Sequence, residues 1–496
     1  MQLNLNGISY TYPQATEPVL CGVSATFPQG WTGIVGDNGA GKTTLALVAC
    51  GLLPPDTGSV TPTLVAAYCT QDATVPPDVL EDFALAYDGE ATRLRRDLDI
   101  GDDWPWRYET LSGGQQKRLQ VACALWGAPD VLVLDEPTNH VDTTTRRAIG
   151  RVLAGFHGVG LLISHDRVLL DALCGQCLFV SAGSTTMRPG GYSQASGQAE
   201  RERQSALRAH EEARREQRRI AREAQRRREE AAQKEAGRSL RGIAKHDNDA
   251  RHKKRVAVVW GTDGIAAHQA AGMETRLAKA GGRVAATKVS RRYDASIWLD
   301  ARPSRRPVLL RMEEGVLARD TWSLAHPSLY VGNTDHVALV GDNGSGKTTL
   351  VKSLVAQLDE GIRHLYVPQE PTVRQRGEVL TRLRSLSAME RGRALSVVAQ
   401  LNSDPDRVLE GDVVSPGELR KLMLALGILD RPELIIMDEP TNHLDLGSTE
   451  ALERLLAGYP GALLLVSHDA TLLGATTTIT WSIERSDSQA WRLVVR

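Results

Sequence analysis

The chain has 496 residues, with 42% hydrophobic and 24% charged residues and a net charge of −1, which is typical of a soluble globular protein of roughly two to four domains. No run of about 18 apolar residues occurs, so the composition predicts no membrane insertion. Residues 1–6 also lack the basic and apolar segments of a secretion signal, so we expect a cytoplasmic protein.

The first predicted element with chemical meaning is an apolar strand ending at residues 33–35, followed by a glycine-rich loop and a helix. The backbone N–H groups of such a loop surround a phosphate at the start of the helix. We expect Lys42 to reach the β- and γ-phosphates of ATP and Thr43 to bind Mg²⁺. The predicted loop consists of Gly36, Asp37, Asn38, Gly39, Ala40, Gly41, Lys42, Thr43 and Thr44.

A second apolar run, at residues 131–134, predicts a strand that is buried on both faces. Asp135 and Glu136 follow it, and strand alternation directs their carboxylates differently. We expect Asp135 to hold Mg²⁺ through water. We expect Glu136 to polarise the water that attacks the γ-phosphate, a contribution of about 10²–10⁴ in rate.

The composition then changes between residues 200 and 300, where 25 Lys and Arg face 15 Asp and Glu. This segment has a net charge of +10, and the rest of the chain has −11. Residues 201–235 predict a solvated helix with stabilising pairs four residues apart. These pairs include Glu211–Arg215, Glu223–Arg227 and Glu230–Lys234. Glycines predict helix breaks at Gly237, Gly242, Gly261, Gly264, Gly281 and Gly282. These breaks indicate two helical arms with a bend near residues 237–249 or near residues 261–264, and either bend could be the tip of the hairpin.

Basic residues crowd around the first break, near Trp260. They are Arg238, Arg241, Lys245, His246, Arg251, His252, Lys253, Lys254 and Arg255. A phosphate backbone would attract such a cluster without base reading. A charged hairpin that only spaces the two halves of the chain is the alternative.

After this segment the glycine-rich loop of residues 36–44 is repeated. The repeated loop consists of Gly341, Asp342, Asn343, Gly344, Ser345, Gly346, Lys347, Thr348 and Thr349. Lys347 lies 305 positions after Lys42, and the Asp438–Glu439 pair lies 303 positions after the first acidic pair. We therefore expect Thr348 and Asp438 to bind Mg²⁺ and Glu439 to act on water. The predicted domains are residues 1–195, 196–304 and 305–496.

At residues 111–115, Leu-Ser-Gly-Gly-Gln resembles the signature motif of ATP-binding-cassette (ABC) ATPases. The residues in this motif are Ser112, Gly113, Gly114 and Gln115. Gln71 and Gln369 resemble the Q-loop glutamines, which sense metal and γ-phosphate. His165 and His468 resemble the switch histidines, and Tyr12 resembles the aromatic residue that stacks on adenine. Residues 137–142 and 440–445 resemble the D-loop.

In that family two cassettes close face to face, which implies a monomer with intramolecular pairing. The P-loop at Lys347 would face Ser112, Gly113 and Gly114. The P-loop at Lys42 would face Ser415, Gly417 and Glu418, with Pro416 in place of a glycine. Pro416 removes a backbone N–H. The second half also lacks a clear adenine-stacking aromatic, with Trp322 as a weak candidate, so we predict two unequal sites.

The tandem arrangement, with Asn-His-x-Asp in each half and a charged helical linker, resembles the ABC-F family. The resemblance implies an α/β fold with two P-loop ABC domains joined by an α-helical hairpin, and hydrolysis of ATP with Mg²⁺. It also implies ribosome binding near the tRNA exit site, with the linker touching tRNA and ribosomal RNA, and modulation of translation. A general translation factor and an antibiotic-resistance protein both remain open.

The main alternative is the ATPase component of an ABC transporter with separate membrane subunits. A DNA excision-repair ATPase fits less well because the sequence lacks paired CxxC zinc sites. A ribosome-recycling ATPase with iron–sulfur clusters fits less well because no N-terminal cysteine array is present.

Overall fold

The computed structural model describes residues 1–139, 141–181, 184–236, 249, 252, 263–287, 301–319, 322–405, 415–487 and 490–496. The chain divides into two compact units, Met1–Ala195 with Arg292–Arg496, and Ser196–Arg291. The first unit contains both repeats, which we name cassette 1 (residues 1–195) and cassette 2 (residues 305–496). Within the described ranges, no helix has the length and apolar character needed to cross a bilayer.

Cassette 1 contains an antiparallel sheet of order β2-β1-β4 and a central sheet of order β5-β6-β7-β3-β8-β9. The central strands run parallel except β9. The strands are β1 (Gln2–Tyr10), β2 (Leu20–Pro28), β3 (Gly30–Gly36), β4 (Thr57–Thr61), β5 (Ala66–Cys69), β6 (Val131–Asp135), β7 (Val159–Ile163), β8 (Cys174–Ser181) and β9 (Ser184–Pro189). Every residue of β6 is buried, as the apolar run predicts.

The helices of cassette 1 lie against this sheet or form a helical subdomain beside it. They are α1 (Lys42–Ala49), α2 (Leu80–Leu85), α3 (Gly89–Asp97), a 3-10 helix (Trp104–Thr110), α4 (Gly113–Trp126), α5 (Thr143–Ala154) and α6 (Arg167–Leu173). One apolar cluster joins the helical subdomain to the sheet through Phe83, Leu94, Leu119 and Leu132, all of which are fully buried.

Cassette 2 repeats the central sheet of cassette 1 and extends it by two strands to eight. Its strands are β10 (Val308–Met312), β11 (Gly315–Arg319), β12 (Trp322–His326), β13 (Leu329–Gly332), β14 (His336–Gly341), β15 (His364–Val367), β16 (Leu434–Asp438), β17 (Ala462–Val466), β18 (Ile479–Arg485) and β19 (Ala490–Val495). The central order β15-β16-β17-β14-β18-β19 matches that of cassette 1. Parallel strands end at one edge of a sheet, so each P-loop and acidic pair meet there.

The helices of cassette 2 follow the same order along the chain. We number them after the two linker helices, α7 (Tyr192–Ala236) and α8 (Asp263–Ala286). They are α9 (Lys347–Ala356), α10 (Val373–Ser385), α11 (Ala388–Gln400), α12 (Pro416–Leu429), α13 (Leu446–Ala457) and α14 (Ala470–Thr476). The predicted fold class, two α/β P-loop domains joined by a helical hairpin, is confirmed.

The two linker helices run antiparallel. Arg228 pairs with Glu274 at 2.6 Å, and farther along, Glu216 pairs with Arg283 at 3.7 Å. The predicted pairs Glu211–Arg215 and Glu223–Arg227 also form, at 3.8 and 3.1 Å. Few apolar side chains are buried between the arms, as expected for a thin hairpin. Examples are Ala224, Met273 and Ala280.

The predicted helix break at Gly281 and Gly282 is wrong, because α8 continues through both to Ala286. A glycine inside a helix costs only about 1 kcal/mol, so the helix tolerates both. Packing requires neither glycine, because a Cβ on Gly281 would make an ordinary contact of 3.5 Å with Nε2 of Gln217 on α7, and a Cβ on Gly282 would meet nothing within 4 Å. The breaks predicted at Gly237, Gly242 and Gly261 lie outside the described residues. The basic cluster and Trp260 do so too, apart from His252, which is exposed.

Candidate active site

Each P-loop connects a central strand to a helix that begins at its lysine, Lys42 or Lys347. The preceding Gly41 and Gly346 have φ values of 94° and 96°, a left-handed conformation that favours glycine. Each lysine Nζ donates to two carbonyl oxygens of its own loop, at 2.7 to 3.1 Å. Burial lowers the pKa of both lysines. We call these loops the first ATP site (at Lys42) and the second ATP site (at Lys347).

The residues predicted to bind metal meet in pairs at the sheet edge. Thr43 Oγ1 donates to Asp135 Oδ2 at 2.7 Å, and Thr348 Oγ1 donates to Asp438 Oδ2 at 2.8 Å. The Q-loop glutamines, Gln71 and Gln369, line the same cavity as these pairs. Hydroxyl, carboxylate and amide oxygens form a donor set that suits a hard cation such as Mg²⁺.

The predicted catalytic residues of cassette 1 also lie together. Glu136, directly after β6, is buried and has a left-handed φ of 49°. Its Oε1 lies 3.1 Å from His165 Nε2, and its Oε2 accepts from the His165 backbone N–H at 3.2 Å. In cassette 2, Glu439 has the same φ, and its Oε1 lies 3.5 Å from His468 Nε2.

Burial changes the charge state of these side chains. It raises the pKa of Glu136 to about 8, with Asp135 adding to the rise, and the pKa of Glu439 to about 7. It lowers the pKa of His165 and His468 to about 4. Neutral histidines can accept hydrogen bonds, and His468 Nε2 lies 3.1 Å from the donating Nζ of Lys347. Both glutamates are thus bases whose pKa lies near neutrality, where general-base catalysis is most effective.

Burial of the Glu136 carboxylate predicts a pH-dependent stability. The folded protein holds this proton up to pH about 8, whereas the unfolded chain releases it near pH 4.5. Stability therefore falls as pH rises between these values. We expect Glu136→Gln to remove this loss and stabilise the nucleotide-free protein by on the order of 2–4 kcal/mol at pH 8.

Thermal midpoints of Glu136→Gln and wild type, compared at pH 5 and pH 8, measure this effect. The difference should widen at pH 8, whereas the exposed control Glu378→Gln should show a constant difference. A gap between Glu136→Gln and wild type that is the same at both pH values would contradict the prediction.

Both ATP sites open into one cavity of about 1130 Å³, to which both cassettes contribute. At the first ATP site, the backbone N–H of Asn38 donates to Asp445 Oδ2 at 3.4 Å, and its side chain donates to the His443 carbonyl at 3.1 Å. Asn402 Nδ2 donates to Asp37 Oδ1 at 2.8 Å. The D-loop of cassette 2 therefore contacts the P-loop of cassette 1.

The two signature motifs are placed differently. Ser415, Pro416 and Gly417 line the shared cavity together with the first P-loop, whereas Ser112, Gly113, Gly114 and Gln115 are not among its lining residues. The contact of the cassette 1 signature with the second ATP site therefore stays a prediction.

Pro416 does not disturb its helix. Ser415 caps α12 in a capping box with Glu418, as Ser112 caps α4 with Gln115. Proline is well tolerated at the first helical position, because its N–H would have no partner within the helix. The substitution thus removes one N–H at the helix start. A Cβ on the adjacent Gly417 would lie 2.5 Å from the His443 carbonyl oxygen, so the glycine permits this D-loop contact.

The predicted adenine-binding aromatic, Tyr12, is 40% exposed and lines the cavity. Its hydroxyl lies 3.0 Å from Thr44 Oγ1, and its ring packs edge-on against Tyr10. In cassette 2, Trp322 lies so close to Gly346 that no Cβ would fit between them. Trp322 also lines the cavity. Its indole therefore packs on the second P-loop.

Sequence reasoning missed a buried cation that joins each signature helix to its Q-loop. Lys117 Nζ donates to the carbonyl oxygens of Thr70 and Gln71, at 2.7 and 3.1 Å. Arg420 donates to the carbonyl of Gln369 and, at 3.3 Å, to that of Glu439. Each cation thus ties a signature helix to a Q-loop. The signal was available, because both cations lie five residues after the signature serine of their cassette.

Comparisons with known proteins agree with this architecture. The sequence matches the ABC transporter family over residues 20–139 and 324–442. It is 29% identical to the ATP-binding protein Uup of Caulobacter vibrioides, over 94% of this chain and 75% of the relative. It is 27% identical to the ribosome protection protein VmlR of Bacillus subtilis, over 96% of this chain and 85% of the relative. It is 28% identical to the tylosin resistance ATP-binding protein TlrC of Streptomyces fradiae, over 94% of each chain.

A solved structure has the same tandem fold. The structure of an RNase-L Inhibitor aligns with a TM-score of 0.63 over 99% of this chain and 90% of its own, at 18% identity. At this identity the similarity establishes the fold alone.

Proposed function

Because this chain belongs to the ABC-F family of tandem ATP-binding-cassette ATPases, we propose that it is an ATP-driven clamp that binds the ribosome near the tRNA exit site and modulates translation. The observation that carries the proposal is the pairing of both cassettes across one shared cavity. We assign cassette 1 to residues 1–195, the linker to residues 196–304 and cassette 2 to residues 305–496. The clamp acts as a monomer in the cytoplasm.

In each ATP site, different side chains bind the phosphates, bind the metal and activate the attacking water. The P-loop lysine and backbone N–H groups hold the phosphates. Thr43, Asp135 and Gln71 would hold Mg²⁺ at the first site, as Thr348, Asp438 and Gln369 would at the second. When bound, Mg²⁺ neutralises charge on the β- and γ-phosphates. Glu136 and Glu439 accept the proton of the attacking water, and the neutral switch histidines orient these carboxylates.

Closure of the cassettes is the step that ATP would control. The contacts from Asn38 to Asp445 and His443 join a P-loop to the opposite D-loop, so they exist only in the closed state. A phosphate held at this P-loop favours closure by contacting both cassettes. ATP then shifts the population toward the closed state, and hydrolysis reverses the shift.

Two observations favour the ribosome as the partner: the positive charge of the linker and the similarity to VmlR and TlrC. The segment from residue 200 to 300 has a net charge of +10 and interrupts an otherwise acidic chain. Such a segment suits ribosomal RNA and tRNA, which are recognised largely through phosphates and shape. The names of VmlR and TlrC denote ribosome protection and tylosin resistance, so antibiotic resistance is one form that the modulation of translation would take.

A trap variant tests the clamp. With Glu136→Gln and Glu439→Gln combined, ATP binds but is not hydrolysed, so the closed state should persist. We expect this protein to cosediment with ribosomes in ATP to a greater extent than wild type, and to lose the excess in ADP.

The outcome separates this function from the transporter alternative. Cosedimentation equal to wild type in both nucleotides would contradict the clamp. Recovery of the trapped protein with membrane proteins instead of ribosomes would favour an ABC transporter component. The control is Glu378→Gln, an exposed substitution in α10, which should cosediment as wild type does.

A further inference from the structure

One arginine of cassette 1 reaches the catalytic loop of cassette 2. Arg146 lies in α5, directly after the cassette 1 D-loop, and its side chain is only 22% exposed. Its Nη1 donates to the backbone carbonyl of His468 at 3.3 Å. Its Nε lies 3.1 Å from Asp166 Oδ2, an ion pair within its own cassette. Arg146 also lines the shared cavity.

The next cassette 1 arginine along this interface contacts the same loop. Arg167 pairs with Glu453 at 2.6 Å and lies 3.8 Å from Asp469, the residue after the switch histidine. Two arginines of cassette 1 therefore contact the loop around His468. This contact requires the closed arrangement, because it joins residues of different cassettes.

The reverse contact cannot form in the same way. The repeats are offset by 303 residues. Thr449 is therefore the cassette 2 equivalent of Arg146, and Ala470 is the equivalent of Arg167. Thr449 is buried and also lines the cavity, but it carries no charge and is too short to reach as far as an arginine. Among the described residues, these two equivalent positions therefore give the first ATP site no cationic side chain like the one that the second ATP site receives from Arg146.

The contacted loop has a direct place in the chemistry of the second ATP site. His468 Nε2 lies 3.1 Å from Lys347 Nζ and 3.2 Å from Asn343 Oδ1. It also lies 3.5 Å from Glu439 Oε1. Holding the His468 main chain holds this ring among the lysine, the P-loop and the base. A shift of about 1 Å in such a group is sufficient to slow a reaction by about 10²-fold.

We propose that Arg146 is a positioning residue that acts in trans on the second ATP site and makes its hydrolysis depend on cassette closure. It acts through the main chain of the His468 loop, to which it donates a hydrogen bond. At the equivalent position of the repeat the first ATP site has Thr449, so closure activates the two sites unequally. This inference rests on the ATPase activity and is independent of ribosome binding.

The test isolates one site at a time. In a Glu136→Gln background only the second site hydrolyses ATP, and there Arg146→Ala should lower kcat about 10- to 100-fold with less than a twofold change in KM. In a Glu439→Gln background, where only the first site hydrolyses, the loss should be several times smaller. Arg146→Lys keeps the charge, so it should restore part of kcat.

The matched control is Arg147→Ala, an exposed neighbour on the same helix, which should leave kcat unchanged in both backgrounds. Equal losses from Arg146→Ala in the two backgrounds would assign Arg146 a general structural role and overturn the proposal. A rise in KM with unchanged kcat would overturn it too, because it would show a contribution to binding only. Thermal midpoints of Arg146→Ala and Arg146→Lys check that both variants fold.

Discussion

Replacing Glu136 and Glu439 together by glutamine should lower ATP turnover about 10²- to 10⁴-fold, the usual contribution of a general base. Glutamine keeps the shape of each side chain but cannot accept the proton of the attacking water. The buried carboxylates have a pKa near neutrality, so they are effective bases at physiological pH. Steady-state phosphate release measures the loss.

The two single changes should contribute unequally. The first ATP site faces Pro416, which offers no N–H to a phosphate. The second ATP site retains the Ser-Gly-Gly signature of cassette 1 as its expected partner. We therefore expect Glu439→Gln to cost more turnover than Glu136→Gln. The exposed control Glu378→Gln should cost none, and equal losses from the two catalytic changes would contradict an unequal pair.

Ribosome binding by the trapped protein should weaken about 10³- to 10⁵-fold between about 50 and 200 mM salt if the linker neutralises about 6–10 phosphates. Binding of cationic side chains to a phosphate backbone releases counterions, and added salt opposes that release. Equilibrium binding of the Glu136→Gln, Glu439→Gln protein in ATP, measured across this salt range, gives the slope.

The location of the contact is tested with matched substitutions. Changing Lys253, Lys254 and Arg255 to glutamine should reduce the slope by about one per residue. The control changes Arg214, Arg218 and Arg222 to glutamine, which removes the same charge from exposed positions on α7. Equal effects of the two triple changes would argue against a defined contact, and binding independent of salt would argue against phosphate contacts altogether.

Much of the site could be predicted because its chemistry depends on fixed local spacing. A phosphate-binding loop needs glycines at set positions before a lysine, as at Gly41 and Lys42, and these appear in the sequence directly. The run of apolar residues before Asp135 likewise predicted a buried strand, which is β6. Because parallel strands end at one edge, the sequence order alone brings these groups together.

Errors and omissions arose where the outcome depends on packing between distant segments. Gly281 and Gly282 satisfy the local pattern of a helix break, yet α8 continues through them and pairs with α7 through Glu274 and Arg283. Lys117 and Arg420 stand at equivalent positions after the signature serines, but the carbonyl groups that they contact belong to the Q-loops, which are distant in the sequence.

The sequence by itself determined the two P-loops, the acidic pairs, the helical linker and the family to which the chain belongs. These features depend on short-range spacing and on an internal repeat. Only the tertiary structure decided which residues of one cassette meet the other. Arg146 and Thr449 occupy equivalent positions in the repeat, and nothing local distinguishes a solvent-exposed arginine from one that crosses an interface. The two sites differ at this position because the folded chain brings the Arg146 guanidinium within hydrogen-bond distance of the His468 carbonyl.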